Sequence, residues 1–550
     1  MSEIDDITLG VYRDKLVSIC DQMTNTLART SFSPILREAF DLSVGITDRQ
    51  GRLVAEATNS LPNFTRFLSQ ASKNMLDEFG VDELNEGDVL ASNDPWSETT
   101  HQYDIAIIRP VFYDDEFVGF TTGMGHLSDI GGKPYSAEAQ STFEEGLVIP
   151  PTKLVRGGDL NDDIVDVIRA NVRVPNEVIG DIKSFLSATY TGHEEIVRFL
   201  DQYDIDLQAV SDRIIDQSTA NMERALDELP DGEYAEAITV DGVHQDIRIA
   251  CTITIDGERL SVDYAGTDGE VDTAINVPKL YTDSYTQYAI KCVTTPQTRE
   301  TDGDFQPITI TAPEGSILNP SYPAAIAGRA LIGHHCAIIT NRVLAQVAPG
   351  MTMADPGMTM TSQLNFETPD GEQQSEMIFN AGGSGATARK DGAPTLSLPT
   401  NTASISIEEL ESKTGRLRFL KKALRQDSGG PGKTRGGLGQ EIKLRNLGPT
   451  ALGINFLGRK GDFPAKGIQG GHDGTCQSVQ LGSEQVPVKS DQRLAPDQVV
   501  TYREAGGGGF GDPADRPTDR IQYDLENGYI SPEHAREAYG FEPEETQSDQ

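Results

Sequence analysis

Two copies of one short pattern stand out by residue type and spacing. One is His101-x-x-Asp104 and the other is His126-x-x-Asp129. Imidazoles and carboxylates together suit a divalent ion such as Mn²⁺, Fe²⁺ or Zn²⁺. Such an ion polarises a carbonyl or activates water. The segment between the copies reads as a hairpin. Ile105 to Phe112 and Phe117 to Thr122 are strand-like, with Tyr113-Asp114-Asp115-Glu116 as the turn. An antiparallel pair turning there sets His101 opposite Asp129 and Asp104 opposite His126. Asp94, in Ser92-Asn93-Asp94-Pro95, enters from the preceding turn. Hydrogen-bonded caps at strand ends use the same residue types, so two readings stand open, a metal site or a pair of turn caps.

The surrounding elements must hold these groups in place. Leu9, Leu16, Ile19, Met23 and Leu27 lie near helical spacing, which predicts an amphipathic helix over Leu9 to Thr30, ended by Ser33-Pro34. A hairpin is expected over Asp41 to Ala57, turning at Asp48-Arg49-Gln50-Gly51, and then a helix around Phe67 to Phe79. Asn161 to Leu229 is glycine-poor with a 3.6-like pattern, hence helical. From Asp231 strands dominate, at Glu236 to Val240, Ile247 to Ile255 and Leu260 to Val262, with a helix near Ala324 to Val347. The remainder is short-stranded and punctuated by glycine. The terminal segment is acidic, with a helical core over Pro532 to Tyr539 and a frayed end. The expected fold class is α+β. The expected parts are 1–230 with the hairpin and helices, 231–515 rich in strands, and 516–550.

Composition narrows the function. The chain has 550 residues, 85 acidic and 46 basic side chains and a formal charge of −39. Such a surface repels phosphate backbones and anionic membranes, which argues against nucleic acid and membrane partners. With only 16 lysines among the basic residues, the acidic coat reads as adaptation to high salt, where screening removes the cost of self-repulsion. No window approaches about 18 uninterrupted apolar residues. Met1 to Ile7 lacks the basic and apolar regions of a secretory signal. Five scattered cysteines without a CxxC pair suggest reduced thiols and a cytoplasmic location.

Other motifs are weaker. Gly429-Gly430-Pro431-Gly432-Lys433-Thr434 resembles the end of a phosphate-binding loop, but Asp427 stands where the leading glycine belongs. It reads as a glycine loop whose N–H groups could hold an anion. Gly506 to Gly509 reads as a backbone-driven loop and His334-His335 as helix packing. No Gly-x-Ser-x-Gly elbow or dinucleotide fingerprint is present.

Ordered motifs carry a family resemblance. Asn93-Asp94-Pro95, Thr100-His101-x-x-Asp104, Arg109-Pro110-Val111-Phe112 and His126-x-x-Asp129-Ile130-Gly131-Gly132 resemble the B subunits of ATP-dependent hydantoinases and oxoprolinases. That family includes the alpha-type subunits of acetone and acetophenone carboxylases. Glu145-Gly146-Leu147, Asn171-x-Arg173-x-Pro175, Asp263-Tyr264-x-Gly266-Thr267, Gly382 to Ala386, Asp427 to Gly432 and Gly506 to Pro513 extend it over about Leu9 to Gly540. One departure is Glu98-Thr99-Thr100-His101, where many members carry two glycines before the Thr-His pair.

The resemblance implies a B-type subunit of a hetero-oligomer whose A-type partner binds and hydrolyses ATP. Together the subunits would open a small cyclic amide such as 5-oxoproline or a hydantoin, with the partner phosphorylating the amide oxygen. It implies a divalent metal at His101, Asp104, His126 and Asp129, with Asp94 nearby and Glu38 and Asp41 as further acidic candidates. The alternatives are a carboxylase subunit acting on a ketone and a scaffolding subunit without chemistry of its own.

Overall fold

The structure is a computed structural model that describes residues 4–367, 371, 373–396 and 406–543. The expected frayed end falls mostly outside these residues. The fold is α+β, as the sequence predicts.

The hairpin lies in the middle of a seven-stranded sheet. Its strands are β1 (Leu42–Asp48), β2 (Leu53–Glu56), β3 (Val89–Ser92), β4 (Asp104–Tyr113), β5 (Glu116–His126), β6 (Thr152–Arg156) and β7 (Asp159–Leu160). Their order is β2-β1-β5-β4-β3-β6-β7. β4 and β5 pair antiparallel, with Asp104 opposite His126 and Ile105 opposite Gly125, so the expected register holds at the open end. β5 runs past Thr122, where Thr-Gly-Met-Gly-His reads as a break. The glycines are a packing device instead. A Cβ on Gly123 or Gly125 would stand 2.9 or 2.8 Å from the ring of Phe185, on the helix that covers this face.

The first helix runs over Asp6–Thr30, with the Asp5 carboxylate accepting the N–H groups of Ile7 and Thr8, each at 3.0 Å. Leu9, Leu16, Ile19, Met23 and Leu27 are all buried on it, each contributing about 1.5–3 kcal/mol by removal from water. The helix ends before Ser33-Pro34, which starts a separate short helix over Pro34–Arg37 with Ser33 as its cap. The helical middle divides into Asp162–Asn171, Pro175–Tyr203 and Leu207–Asp227. The long second of these fixes the site from below. Its Asp181 carboxylate accepts the N–H groups of Phe32 at 2.7 Å and Ser33 at 3.1 Å, leading into the Glu38–Asp41 stretch. A helix follows β2 over Pro62–Phe79, and another runs over Ala330–Leu344. His334 packs there against the rings of Tyr281 and Tyr285, as expected of a core histidine.

Two compact units emerge, divided differently from the expected parts. The first comprises residues 1–235, 250–337 and 365–377; the second comprises 236–249, 338–364 and 378–550. Thus 250–337 returns to the unit that carries the hairpin, and the C-terminal segment belongs to the second. Its helix Pro532–Tyr539 is where the sequence places it, and a further helix over Thr518–Glu526 was not anticipated. None of the five cysteines is paired. Among the described residues, no helix is long and apolar enough to cross a membrane.

The second unit contains a five-stranded sheet and a lattice of glycine segments. Gly506 to Gly509 threads the centre of that lattice. Gly507 N–H donates to the Gly437 carbonyl at 2.9 Å and its own carbonyl accepts from Gly430 at 2.8 Å. Gly508 N–H reaches the Asp355 carbonyl at 2.8 Å and Gly509 N–H the His472 carbonyl at 2.9 Å. Successive bonds go to different neighbours, as in bundled extended chains and unlike a sheet ladder. The loop resembling a phosphate cradle is part of this lattice. Its Gly430 N–H points to Gly507 and Gly436 N–H to Gly430, so these donors are committed to carbonyls and the anion reading loses its basis there.

Candidate metal centre

Three of the expected residues converge in the first unit. His101, Asp104 and His126 each offer an atom such that all three lie within 4.8 Å of one another, and all three residues are buried. His101 Nε2 stands 2.9 Å and His126 Nδ1 3.3 Å from the same atom, Asp104 Oδ1. The other Asp104 oxygen accepts from Arg329 Nη2 at 2.7 Å. His101 Nδ1 lies 3.2 Å from the Ala327 carbonyl, which can only accept, so that nitrogen carries the proton. Burial first, and the Arg329 charge second, hold the His101 pKa down to about 3, so the ring is neutral. Nε2 therefore carries a lone pair. It faces a carboxylate oxygen at 2.9 Å, and neither atom has a hydrogen-bond partner. Burial opposes ionisation of Asp104, yet the facing His101 and Arg329 hold its carboxyl well below the usual carboxylate range. Two buried lone pairs directed at each other fit a shared cation, and the His/Asp donor set fits Mn²⁺, Fe²⁺ or Zn²⁺.

The other candidates are held elsewhere. Asp129 sits across the register from His101, but its carboxylate is taken by the backbone N–H and guanidinium of Arg173 and by Gly131 N–H. It anchors the loop after β5 and does not join the donor group. Arg173 also donates to the Gly132 carbonyl. Asp94 Oδ1 accepts from Trp96 N–H at 2.9 Å and its residue lines a cleft, apart from the donor group. Glu38 pairs with Arg37 at 3.2 Å. Asp41 is nearer: its carbonyl accepts His126 N–H at 3.0 Å. Burial raises its carboxyl to about 6, with His126 opposing and Asp104 reinforcing the rise.

Sequence reasoning missed the residues that orient the donors. Arg329 Nε donates to Thr100 Oγ1 at 2.6 Å while its Nη2 holds Asp104, and its guanidinium lies 4.7 Å over the Tyr281 ring. Thr100 takes φ +74°, a strained backbone for a β-branched residue, and this aims the next residue, His101. Glu145 opens the Glu145-Gly146-Leu147 motif, which by itself gave it no role. Its Oε1 accepts the N–H groups of Ile326 and Ala327, both at 2.7 Å, and so fixes the carbonyl that orients His101. Tyr103 stacks on His126 with ring centroids 5.3 Å apart and 13° between planes. The one available signal for Arg329 was a charged residue following the small, apolar run Pro323 to Gly328.

Burial pushes the Glu145 carboxyl up to about 7, against the two backbone N–H bonds that favour its charged form. The folded state then binds a proton that the unfolded state releases near pH 4.3, so stability falls as pH rises from there towards 7. Glu145→Gln should flatten that fall, by up to about 3 kcal/mol. Denaturant midpoints across this range, compared with the parent chain, check it; an unchanged slope would mean Glu145 is already ionised in the fold.

The comparisons with known proteins agree with this arrangement. The family model for hydantoinase B/oxoprolinase matches residues 5–513. The chain belongs to the hydantoinase B/oxoprolinase family. It is 29% identical to the B-type chain of a D-/L-hydantoinase from Pseudomonas sp. strain NS671, over 98% of this chain and 95% of that protein. The solved ATP-dependent caprolactamase from Pseudomonas jessenii is 27% identical, with a TM-score of 0.92 over 99% of this chain and 97% of that one. A nucleotide-free acetone carboxylase chain shares the fold, with a TM-score of 0.88, 18% identity and coverage of 98% of this chain and 79% of that one. As a hydantoinase B/oxoprolinase member, this chain keeps the His/Asp donors despite Glu98 and Thr99 in place of glycines.

Proposed function

We propose that this chain is the B-type subunit of an ATP-dependent cyclic-amide hydrolase, opening a hydantoin- or 5-oxoproline-like ring together with an A-type ATPase subunit in the cytoplasm. The observation that carries the reading is the pair of unpartnered, buried donor atoms on His101 and Asp104, facing each other beside His126. These three residues would hold a divalent ion. When bound, that ion supplies Lewis-acid polarisation of an amide carbonyl or activation of water. The chain's own residues do the rest. Ala327, braced by Glu145, keeps the His101 proton on Nδ1 and leaves Nε2 free to coordinate. Arg329 occupies one Asp104 oxygen and leaves the other for the ion. Tyr103, Tyr135 and the buried surroundings exclude bulk water from the pair of imidazoles. The incomplete phosphate-loop pattern supports assignment of ATP handling to the partner.

The carboxylase alternative draws support from the shared fold alone, and this chain accounts for less of the acetone carboxylase chain than of the caprolactamase chain. The deciding experiment is co-expression with an A-type ATPase subunit, followed by metal analysis and assays of ATP hydrolysis against 5-oxoproline, hydantoin and ketone with bicarbonate. His101→Ala and His126→Ala should each remove the bound metal and lower ring-dependent turnover by at least about a hundredfold. Unchanged metal content and turnover in both variants would overturn the proposal. Ketone- and bicarbonate-dependent ATP hydrolysis would move the chain to the carboxylases, and absence of metal in the parent complex would leave a scaffold.

A further inference from the structure

A cleft of about 580 Å³ opens in the first unit, bounded by the two loops that flank the donor residues in the chain. One wall is aromatic. Trp96 and Tyr322 meet edge to face at 5.7 Å, and Phe143 meets Tyr322 at 6.0 Å. Phe143 is 72% and Tyr322 62% exposed, unusually open for large apolar groups that already touch one another. Gly131 and Gly132 form a second boundary that carries no side chain, both at positive φ. The lining contains no lysine or arginine, and its one charged residue is Asp94. That carboxylate is pinned through Oδ1 to Trp96 N–H at 2.9 Å, while Oδ2 has no hydrogen-bond partner among the described residues. The volume lies within the range of small-molecule sites.

We propose that this cleft receives an uncharged ring amide, with its ring against Trp96 and Phe143 and its N–H donated to Asp94 Oδ2, and that it rejects a ring amide bearing its own carboxylate. This rests on the cyclic-amide reading above and narrows it to neutral rings of the hydantoin or lactam type. The physical basis is charge. A second carboxylate brought close to Asp94 finds no cation in the lining to offset the repulsion, which should weaken binding at least about tenfold at an intermediate effective dielectric.

Trp96 is the single tryptophan of the chain, so intrinsic fluorescence of the full-length protein reports on this cleft without the partner or a metal. Titration with hydantoin and with caprolactam should give saturable changes in emission, and 5-oxoproline should bind at least about tenfold more weakly. Asp94→Asn should shrink that difference to about threefold or less. Phe143→Ala, at an exposed position, should weaken the neutral rings severalfold even if the Asp94 variant misfolds. Equal or tighter binding of 5-oxoproline overturns the proposal, as does an unresponsive Trp96 in the presence of a ring that the reconstituted complex turns over. If the complex opens no ring, yet neutral rings saturate the Trp96 signal with this selectivity, the hydrolase reading falls and the cleft assignment stands.

Discussion

Arg329→Met is expected to make the stability of this protein steeply dependent on bound metal. Arg329 is 4% exposed and compensates the Asp104 carboxylate at 2.7 Å. Its removal leaves a buried carboxylate beside a neutral His101 and no guanidinium, a situation that costs about 3–5 kcal/mol when one partner of a buried pair is deleted. A divalent ion on Asp104 Oδ1 would restore the missing positive charge. The variant should therefore unfold well below the parent after chelation and recover most of the difference when Mn²⁺ or Zn²⁺ is added, since a ligand that binds only the folded state stabilises it by mass action. Arg329→Lys should rescue only partly. An ammonium is a point charge and cannot span both Asp104 and the Thr100 hydroxyl as the planar guanidinium does. Thermal melts of the full chain with and without metal, with metal content measured in parallel, check this. The idea fails if the chelated variant melts with the chelated parent, or if added metal moves both by the same amount.

The second large effect lies in the glycine lattice. Gly507→Ala should abolish a stably folded second unit. A Cβ there would overlap the Ser384 carbonyl group and meet the backbone of Gly385 at 2.8 Å. All of these atoms are backbone, tied by hydrogen bonds such as Gly437 N–H to the Ser384 carbonyl at 2.8 Å, so no flexible side chain can give way. Overpacking costs of about 1–3 kcal/mol apply where neighbours can shift; here the neighbours are lattice strands, and the expected loss exceeds that range. Gly10→Ala supplies the contrast. Gly10 lies in the Asp6–Thr30 helix with nothing within 4 Å of its would-be Cβ, and alanine there should stabilise by roughly 0.5–1 kcal/mol. Soluble yield and limited proteolysis separate the two variants. A Gly507→Ala chain as protease-resistant as the parent would refute the lattice argument.

What could be read from pattern depended on distance along the chain. The His/Asp hairpin was legible because its register follows from one turn: Asp104 does stand opposite His126. The same logic placed Asp129 in the cluster, and there it stopped short. Register sets which residues are neighbours, whereas the partner of a carboxylate is set by whatever else arrives. Arg173, at the entry to the Pro175–Tyr203 helix, claims Asp129. Likewise the glycine runs announced close backbone approach, but nothing local named Ser384, Gly430 and Gly437 as the segments approached.

The sequence by itself determined the family, the α+β class, the first helix and the hairpin, because each depends on periodicity or on ordered short motifs. It also determined the types of donor available for a metal. Tertiary structure alone decided which donors meet. Arg329 and Glu145 come from distant stretches to fix one oxygen of Asp104 and one nitrogen of His101. The physical reason is that a lone pair is made available for coordination by what its neighbours occupy, and those neighbours are brought in by packing over separations that no local pattern encodes.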